Sequence, residues 1–285
     1  MTTTINSLKS YKTPLRYPGG KSRACKKMEP YIPDLRDYEV YYEPFLGGGS
    51  VALHITKKYP KLKIVVNDLY EPLYNFWLQL QVNGDYVHDQ LQQLKSRFPD
   101  RGSARGLFLD AKEKLYDLDV SDKDRAVCFY IINKCSFSGL TESSSFSEQA
   151  SDANFSMRGI DKLPVYSKLI EDWYITNVDY RHLLGDKEKT FIYLDPPYDI
   201  KDNLYGKKGS IHKKFDHDNF AKACEIYNSE MLISYNSDQL VKDRFKDWNC
   251  AEFDLTYTMR SVGEYMRNQK IRKELLLFNY NIGVF

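Results

Sequence analysis

Apolar positions along the chain follow two rhythms. Short runs with consecutive apolar residues recur at 39–42, 63–67, 174–177, 191–194, 231–235 and 275–280, with a weaker run at 251–257. Runs this short and apolar on both parities predict strands buried between helices on both faces of a sheet. A helical pattern over 51–58 separates the first two, and the alternation predicts an α/β domain. From Tyr70 to about Leu163 the pattern turns mostly helical, with segments at 86–98, 104–118 and 122–134. Ser121 opens the last of these as an N-cap, with Asp124 three positions on. Eight serines between Ser136 and Ser156 follow neither rhythm and predict a long irregular loop. The expected organisation is a sheet domain, residues 1–80 and 164–285, interrupted by a helical insertion over 81–163.

The 285 residues, 42% hydrophobic and 28% charged, are ordinary for a globular chain and argue against disorder. No apolar run approaches the roughly 20 residues of a membrane helix. The polar first residues contain no secretory h-region. Five scattered cysteines with no Cys-x-x-Cys pair read as reduced thiols. These features lead to the expectation of a cytoplasmic, monomeric protein. Net charge is only +2, yet Lys9 to Lys27 holds seven basic and no acidic residues. Asp199 to Phe215 holds five Lys and two Asp, and Thr258 to Lys273 five basic residues and one Glu. Such polarity suits a polyanionic partner despite the near-neutral total. The five histidines, His54, His88, His182, His212 and His217, form no ligand cluster, so no metal is expected.

Two segments carry candidate chemistry. The first predicted strand runs into Glu43-Pro44-Phe45-Leu46-Gly47-Gly48-Gly49-Ser50, then a helix. A glycine turn between strand and helix lets the backbone approach a ligand and aims helix amides at it. Asp68 follows Gly47 by twenty-one residues, at the end of the next strand. That is about the spacing at which an acid meets the ribose hydroxyls of a nucleotide. Ala52 stands where a dinucleotide fingerprint has its third glycine, which disfavours a pyrophosphate and suits S-adenosylmethionine. The second segment, Asp195-Pro196-Pro197-Tyr198, follows the strand at 191–194. It offers the Asp195 carboxylate, the Pro196 carbonyl and an aromatic face, which suits an exocyclic amine on a flat base.

These motifs, in this order, resemble the Dam-type, alpha-ordered DNA adenine-N6 methyltransferases, over about residues 14–280. Pro14-Leu15-Arg16-Tyr17-Pro18-Gly19-Gly20-Lys21 resembles the N-terminal cofactor motif, with Tyr17 in place of its usual Trp. Tyr42 to Ser50 resembles the glycine motif, Asn67-Asp68 the ribose-binding acid and Asn177-Val178-Asp179-Tyr180 the segment beside the cofactor adenine. Asp195 to Tyr198 resembles the catalytic motif, and Lys273-Glu274-Leu275-Leu276 the late strand. The resemblance implies a Rossmann-like S-adenosylmethionine-dependent methyltransferase sheet with a helical target-recognition insertion. It implies catalysis by Asp195, Pro196, Pro197 and Tyr198 on a flipped adenine of duplex DNA. The implied cofactor residues are Tyr17, Gly19, Gly20, Lys21, Glu43, Phe45, Gly47, Gly49, Ser50, Asp68, Asp179, Tyr180 and Asp195.

Gly139-Leu140 is followed by Thr141-Glu142-Ser143, where GATC-reading relatives carry an Asn/Arg-rich segment, so the resemblance does not extend to that site. Lys134, Ser138, Thr141, Asn154 and Arg158 are the candidates to face DNA within the insertion. Lys207, Lys208, Lys213, Lys214, Arg260, Arg267 and Lys270 are expected at phosphates, where they set affinity and salt dependence. The absence of any Pro-Cys pair argues against cytosine C5 chemistry. An N4-cytosine methyltransferase and a catalytically silent DNA-binding module stay open. Pro99-Asp100 with Asp110-Ala111-Lys112 has the spacing of a metal-dependent nuclease, but inside a predicted helix.

Overall fold

The computed structural model describes residues 12–17, 19–139, 144–198, 215–255 and 272–282. Seven strands form its sheet: β1 (Val40–Glu43), β2 (Lys63–Asn67), β3 (Tyr174–Thr176), β4 (Thr190–Leu194), β5 (Glu230–Asn236), β6 (Asn249–Leu255) and β7 (Arg272–Phe278). Their order is β3-β2-β1-β4-β5-β7-β6. The first five are parallel, and β7 runs antiparallel to β5 and β6. The seven predicted strands therefore exist, and the fold is the Rossmann-like sheet expected. The prediction for β7 started late because Arg272, Lys273 and Glu274 interrupt the apolar signal at its beginning.

Alternation explains the consecutive apolar runs. In β4, Phe191 and Tyr193 enter one core while Ile192 and Leu194 enter the other, and β7 divides Leu276 and Phe278 from Leu275 and Leu277 in the same way. Both faces of the sheet are thus covered, as period-two side-chain direction requires.

The helices are α1 (Cys25–Met28), α2 (Ser50–Lys58), α3 (Glu71–Val82), α4 (Gly84–Arg97), α5 (Arg101–Lys114), α6 (Asp122–Cys135), α7 (Glu148–Asn154), α8 (Met157–Ile160), α9 (Leu163–Leu169), α10 (His217–Glu225) and α11 (Gln239–Arg244). In α6 every residue from Ala126 to Cys135 is buried. A helix apolar on all sides must sit inside other helices, and α6 packs mainly on α3 and α5. Phe76 of α3 lies 5.7 Å from Phe129 and 5.9 Å from Tyr130, centroid to centroid. Burying such rings contributes about 1.5–3 kcal/mol each. These aromatics join Tyr41 and Phe191 of the sheet in one continuous core.

Three local readings need comment. Ser121 caps α6 as expected, accepting from the Asp124 amide. The serine-rich stretch, however, is not one irregular loop. Ser147 and Ser156 are N-caps that open α7 and α8 around buried Phe155. Such short helices leave no periodic signature, but their caps do. Asp100, considered for a nuclease, is the N-cap of α5, with its carboxylate accepting from Ser103 N at 2.9 Å. Asp110 pairs with Lys114 on the same helix at 2.8 Å, so neither carboxylate belongs to a paired-strand metal site.

Candidate active site

The strand order reverses between β1 and β4: the chain leaves β1 towards β2 on one side and β4 towards β5 on the other. Ligands of parallel α/β sheets bind at that crevice, outside the carboxyl ends of the strands. The glycine turn leaves β1 here. Gly47 and Gly49 have φ of +50° and +68°, a region costly for side-chain-bearing residues. Space also demands glycine: a Cβ on Gly47 would lie 2.8 Å from Tyr17 Cε1, and one on Gly49 2.8 Å from Trp77 Cζ2. Tyr17 lies on this turn from one side, while Trp77 donates its indole N–H to Gly47 O at 3.1 Å.

Asp68 and Asn67 secure the turn from β2. Asp68 accepts from Gly47 N at 2.8 Å and Tyr70 N at 3.0 Å. Burial raises its pKa to about 6, against the opposing pull of those two amides. Buried Asn67 donates to Pro44 O and Val178 O, each at 3.0 Å, and accepts from Val178 N at 2.9 Å. One amide side chain thereby ties the ends of β1, β2 and β3 together.

Lys21 reaches the crevice from the N-terminal segment. Its ammonium donates to both Asp195 oxygens at 2.8 Å and to Gly19 O at 3.1 Å, and lies 3.3 Å from Glu274 Oε1. Lys21 is 3% exposed, Glu274 1% and Asp195 21%, so the cluster is shielded but Asp195 opens to the crevice. Ser234 Oγ donates to Asp195 Oδ1 at 2.8 Å and lies 2.7 Å from the buried Tyr193 hydroxyl. Burial raises the Asp195 pKa, Lys21 and Ser234 oppose that shift, and the Glu274 charge reinforces it. Tyr198 donates its hydroxyl to Glu274 Oε1, and its ring stacks on Tyr235 at 5.7 Å and 26°. Lys21 Nζ is 4.9 Å from the Tyr198 ring centroid. Below this layer Glu43 is buried and accepts from Tyr41 OH at 2.6 Å; burial first and then the Asp195 charge keep its pKa well above the ordinary range.

The family model for D12 class N6 adenine-specific DNA methyltransferases matches residues 17–259, from the Tyr17 wall past β6. The chain belongs to this family. It is 25% identical over 206 residues to the type II methyltransferase M.MjaIII of Methanocaldococcus jannaschii, covering 65% of this chain and 68% of that one. It is 23% identical over an alignment of 308 residues to the modification methylase StsI of Streptococcus sanguinis, covering 99% of this chain but 45% of that one. With the type II methyltransferase M.CviBI of Paramecium bursaria Chlorella virus NC1A it is 19% identical over 276 residues, 93% and 98% of the two chains. The chain therefore spans about half the length of the Streptococcus methylase. Membership identifies the chain as a DNA methyltransferase by family.

Tyr17, Gly19, Gly20, Lys21, Glu43, Phe45, Gly47, Gly49, Ser50, Asp68 and Asp195 to Tyr198 surround or underlie the crevice. Phe45 packs on Tyr180 at 5.3 Å, whereas the Asp179 carboxylate is taken by Arg181, at 2.8 Å to Nε and 2.8 Å to the terminal nitrogen. In the insertion, Arg158 is exposed, Asn154 donates to Ala150 O at 2.9 Å, and Lys134 is buried beside the Tyr130 ring. Burial, with the Arg16 charge second, pushes the Lys134 pKa down to about 7. The Ser138 side chain, Thr141, Lys207, Lys208, Lys213, Lys214, Arg260, Arg267 and Lys270 lie outside the described residues. Among the described residues no cluster of three His, Cys, Asp or Glu could hold a metal, and no helix is long and apolar enough to cross a membrane.

The structure adds Trp77, Ser234 and Glu274 to the site, none of which motif reading singled out as a site residue. Ser234 and Glu274 had a legible signal: each is a polar residue within or beside an otherwise apolar strand. Trp77 had none, because its indole N–H acts across thirty residues of sequence.

Proposed function

We propose that this DNA methyltransferase transfers the methyl group of S-adenosylmethionine to N6 of an adenine flipped out of duplex DNA. The observation that carries the reading is the meeting of the Asp195–Tyr198 turn with the glycine turn and Asp68 at one crevice. Asp68 uses two amide donors, and a carboxylate has about four acceptor positions, which leaves capacity for a vicinal diol. Phe45 and Tyr180 provide flat apolar walls, and the glycine turn lacks the third glycine of a pyrophosphate cradle. That donor set fits a phosphate-free adenosine group. When bound, the cofactor supplies an electrophilic methyl group.

The chain's own residues then account for the amine. Among the described residues, Lys21 and Ser234 occupy three of the roughly four acceptor positions on Asp195, leaving one on Oδ2 for an N6 hydrogen. The Pro196 carbonyl is the second acceptor of the turn, and Tyr198 offers an aromatic surface for the base. Extrusion of the adenine costs a few kcal/mol, which stacking and these acceptors offset. Asp195, held by Lys21, acts as an oriented acceptor rather than a strong base. The N6 protons become acidic only as the nitrogen gains its methyl, so rate comes chiefly from orientation and preorganised charge. The basic stretches and the insertion, taken as residues 81–163, supply phosphate and base contacts in this reading.

The test is substrate blocking. Duplex DNA synthesised with N6-methyladenine in place of adenine should accept no labelled methyl, while the unmodified duplex does. Transfer that survives the substitution would overturn the choice of adenine N6.

A further inference from the structure

Glu274 is the least expected charge in the molecule. It sits on β7 opposite Asn236 of β5, immediately before Leu275, Leu276, Leu277 and Phe278, and is 1% exposed. Its parity places it on the same face as Leu276 and Phe278, where an apolar side chain would pack without penalty. A buried carboxylate costs several kcal/mol unless it is paired and hydrogen-bonded. Glu274 has both forms of compensation, and both lead to the reacting turn: Lys21 Nζ at 3.3 Å and the hydroxyl of Tyr198.

The consequence is a matter of charge. Lys21 alone would neutralise Asp195, making the amine-binding turn an uncharged ion pair. With Glu274 at the same ammonium, Asp195 shares Lys21 with a second carboxylate. During transfer the N6 lone pair forms the new N–C bond and the C–S bonding pair returns to sulfur. Positive charge therefore moves onto the amine nitrogen until one N6 proton leaves to solvent. A second carboxylate drawing on Lys21 leaves more of the Asp195 charge to meet that movement, and in a shielded crevice the effect is far larger than in water.

We propose that Glu274 is a positioning residue for methyl transfer, balancing Lys21 so that the Asp195 charge serves the amine, and anchoring Tyr198 beneath the base. This rests on the reading of Asp195–Tyr198 as the amine-binding turn. Among the described residues, the groups facing Asp195 are Lys21, Glu274, Glu43, Ser234 and the hydroxyl-bearing rings of Tyr193 and Tyr198. Of these, Lys21 and Ser234 hold the carboxylate in its charged form and Glu274 opposes it.

Glu274→Gln keeps an oxygen for the Tyr198 hydroxyl and removes only the charge. In single-turnover assays with duplex DNA it should transfer methyl at least tenfold more slowly, with the dissociation constants of DNA and S-adenosylhomocysteine within threefold of wild type. The acid limb of its pH–rate profile should move to lower pH, because one of the charges raising the Asp195 pKa is gone. A purely structural role would leave that limb in place. Tyr198→Phe removes only the hydroxyl and should slow transfer several-fold with the acid limb unchanged; it also decides the anchoring role should Glu274→Gln not fold. Wild-type rates in either variant, or an unmoved limb in Glu274→Gln, overturn the proposal. A wild-type enzyme that methylates no adenine instead overturns the reading of the turn itself, before any variant is compared.

Discussion

Gly47 donates its amide to the carboxylate of Asp68 at 2.8 Å, across twenty-one residues of sequence. This bond converts a spacing into a structure. It holds the glycine turn at the end of β1 against the end of β2, and leaves the other acceptor positions of Asp68 towards the crevice. In the proposed reading the carboxylate serves both turn geometry and ligand binding.

Burial pushes the Asp68 pKa up to about 6, and if Asp68 binds the cofactor as proposed, affinity should depend on pH. Above that pH the carboxylate is ionised and can accept hydroxyl donors. Below it a proton occupies one acceptor position, and affinity for S-adenosylhomocysteine should fall towards tenfold per pH unit if only the ionised form binds. Calorimetric titrations between pH 5 and 8 check this, using about one titration per half unit. Asp68→Asn should bind more weakly at pH 8 and lose the dependence; an unchanged profile would remove Asp68 from the cofactor site.

Asp195→Asn retains the shape of the turn while removing the charge that holds Lys21 and, as proposed, receives the amine. Its single-turnover transfer rate should drop by about 10²–10³, the cost of losing one preorganised electrostatic partner. DNA affinity in a gel-shift assay should change little, since phosphate contacts dominate it. Near-normal turnover would contradict the assigned role.

The parts of the fold that are local in sequence were legible. Two-sided apolar runs marked the strands, Ser121 with Asp124 marked the start of α6, and the glycine turn, Asp68 and Asp195 motifs lie together at one crevice. Tertiary burial obscured the rest. The helix α3 has an i, i+3, i+4, i+7 stripe in Leu73, Phe76, Trp77 and Leu80, but Pro72, Asn75 and Gln79 beside it are buried too, so its buried face is wider than the apolar pattern shows. Serines 147 and 156 looked like linker because their caps serve helices too short to show a period. The link from Lys21 to Glu274 joins opposite ends of the chain, which no spacing rule can anticipate.

Gly49 is constrained twice, by its left-handed backbone and by the Trp77 ring 2.8 Å from where a Cβ would stand. Trp77 is fully buried and cannot swing aside. Gly49→Ala should therefore cost about 1–3 kcal/mol, as overpacking does. Urea denaturation should show a lower midpoint with an unchanged slope, and a midpoint equal to wild type would show that the turn can relax.

Asn133 joins the helical segment to the N-terminal cofactor motif. It accepts from Arg16 N at 2.9 Å and donates to Arg16 O at 2.6 Å, one residue before Tyr17. Asn133→Ala leaves both backbone groups without these bonds and should cost about 1–3 kcal/mol. Because Tyr17 lies on the glycine turn, cofactor affinity should weaken as well. Destabilisation with wild-type cofactor affinity would mean that Arg16 anchors the fold without positioning Tyr17.

The most direct measurement is to incubate the protein with S-adenosylmethionine labelled in its methyl group and mixed-sequence duplex DNA, digest the DNA to nucleosides and identify the labelled one. The account predicts label in N6-methyladenosine of the deoxy series and in no other nucleoside. Label in N4-methylcytosine would keep the crevice chemistry but contradict the target base. No label from a folded protein that binds both DNA and cofactor would contradict methyl transfer to DNA itself.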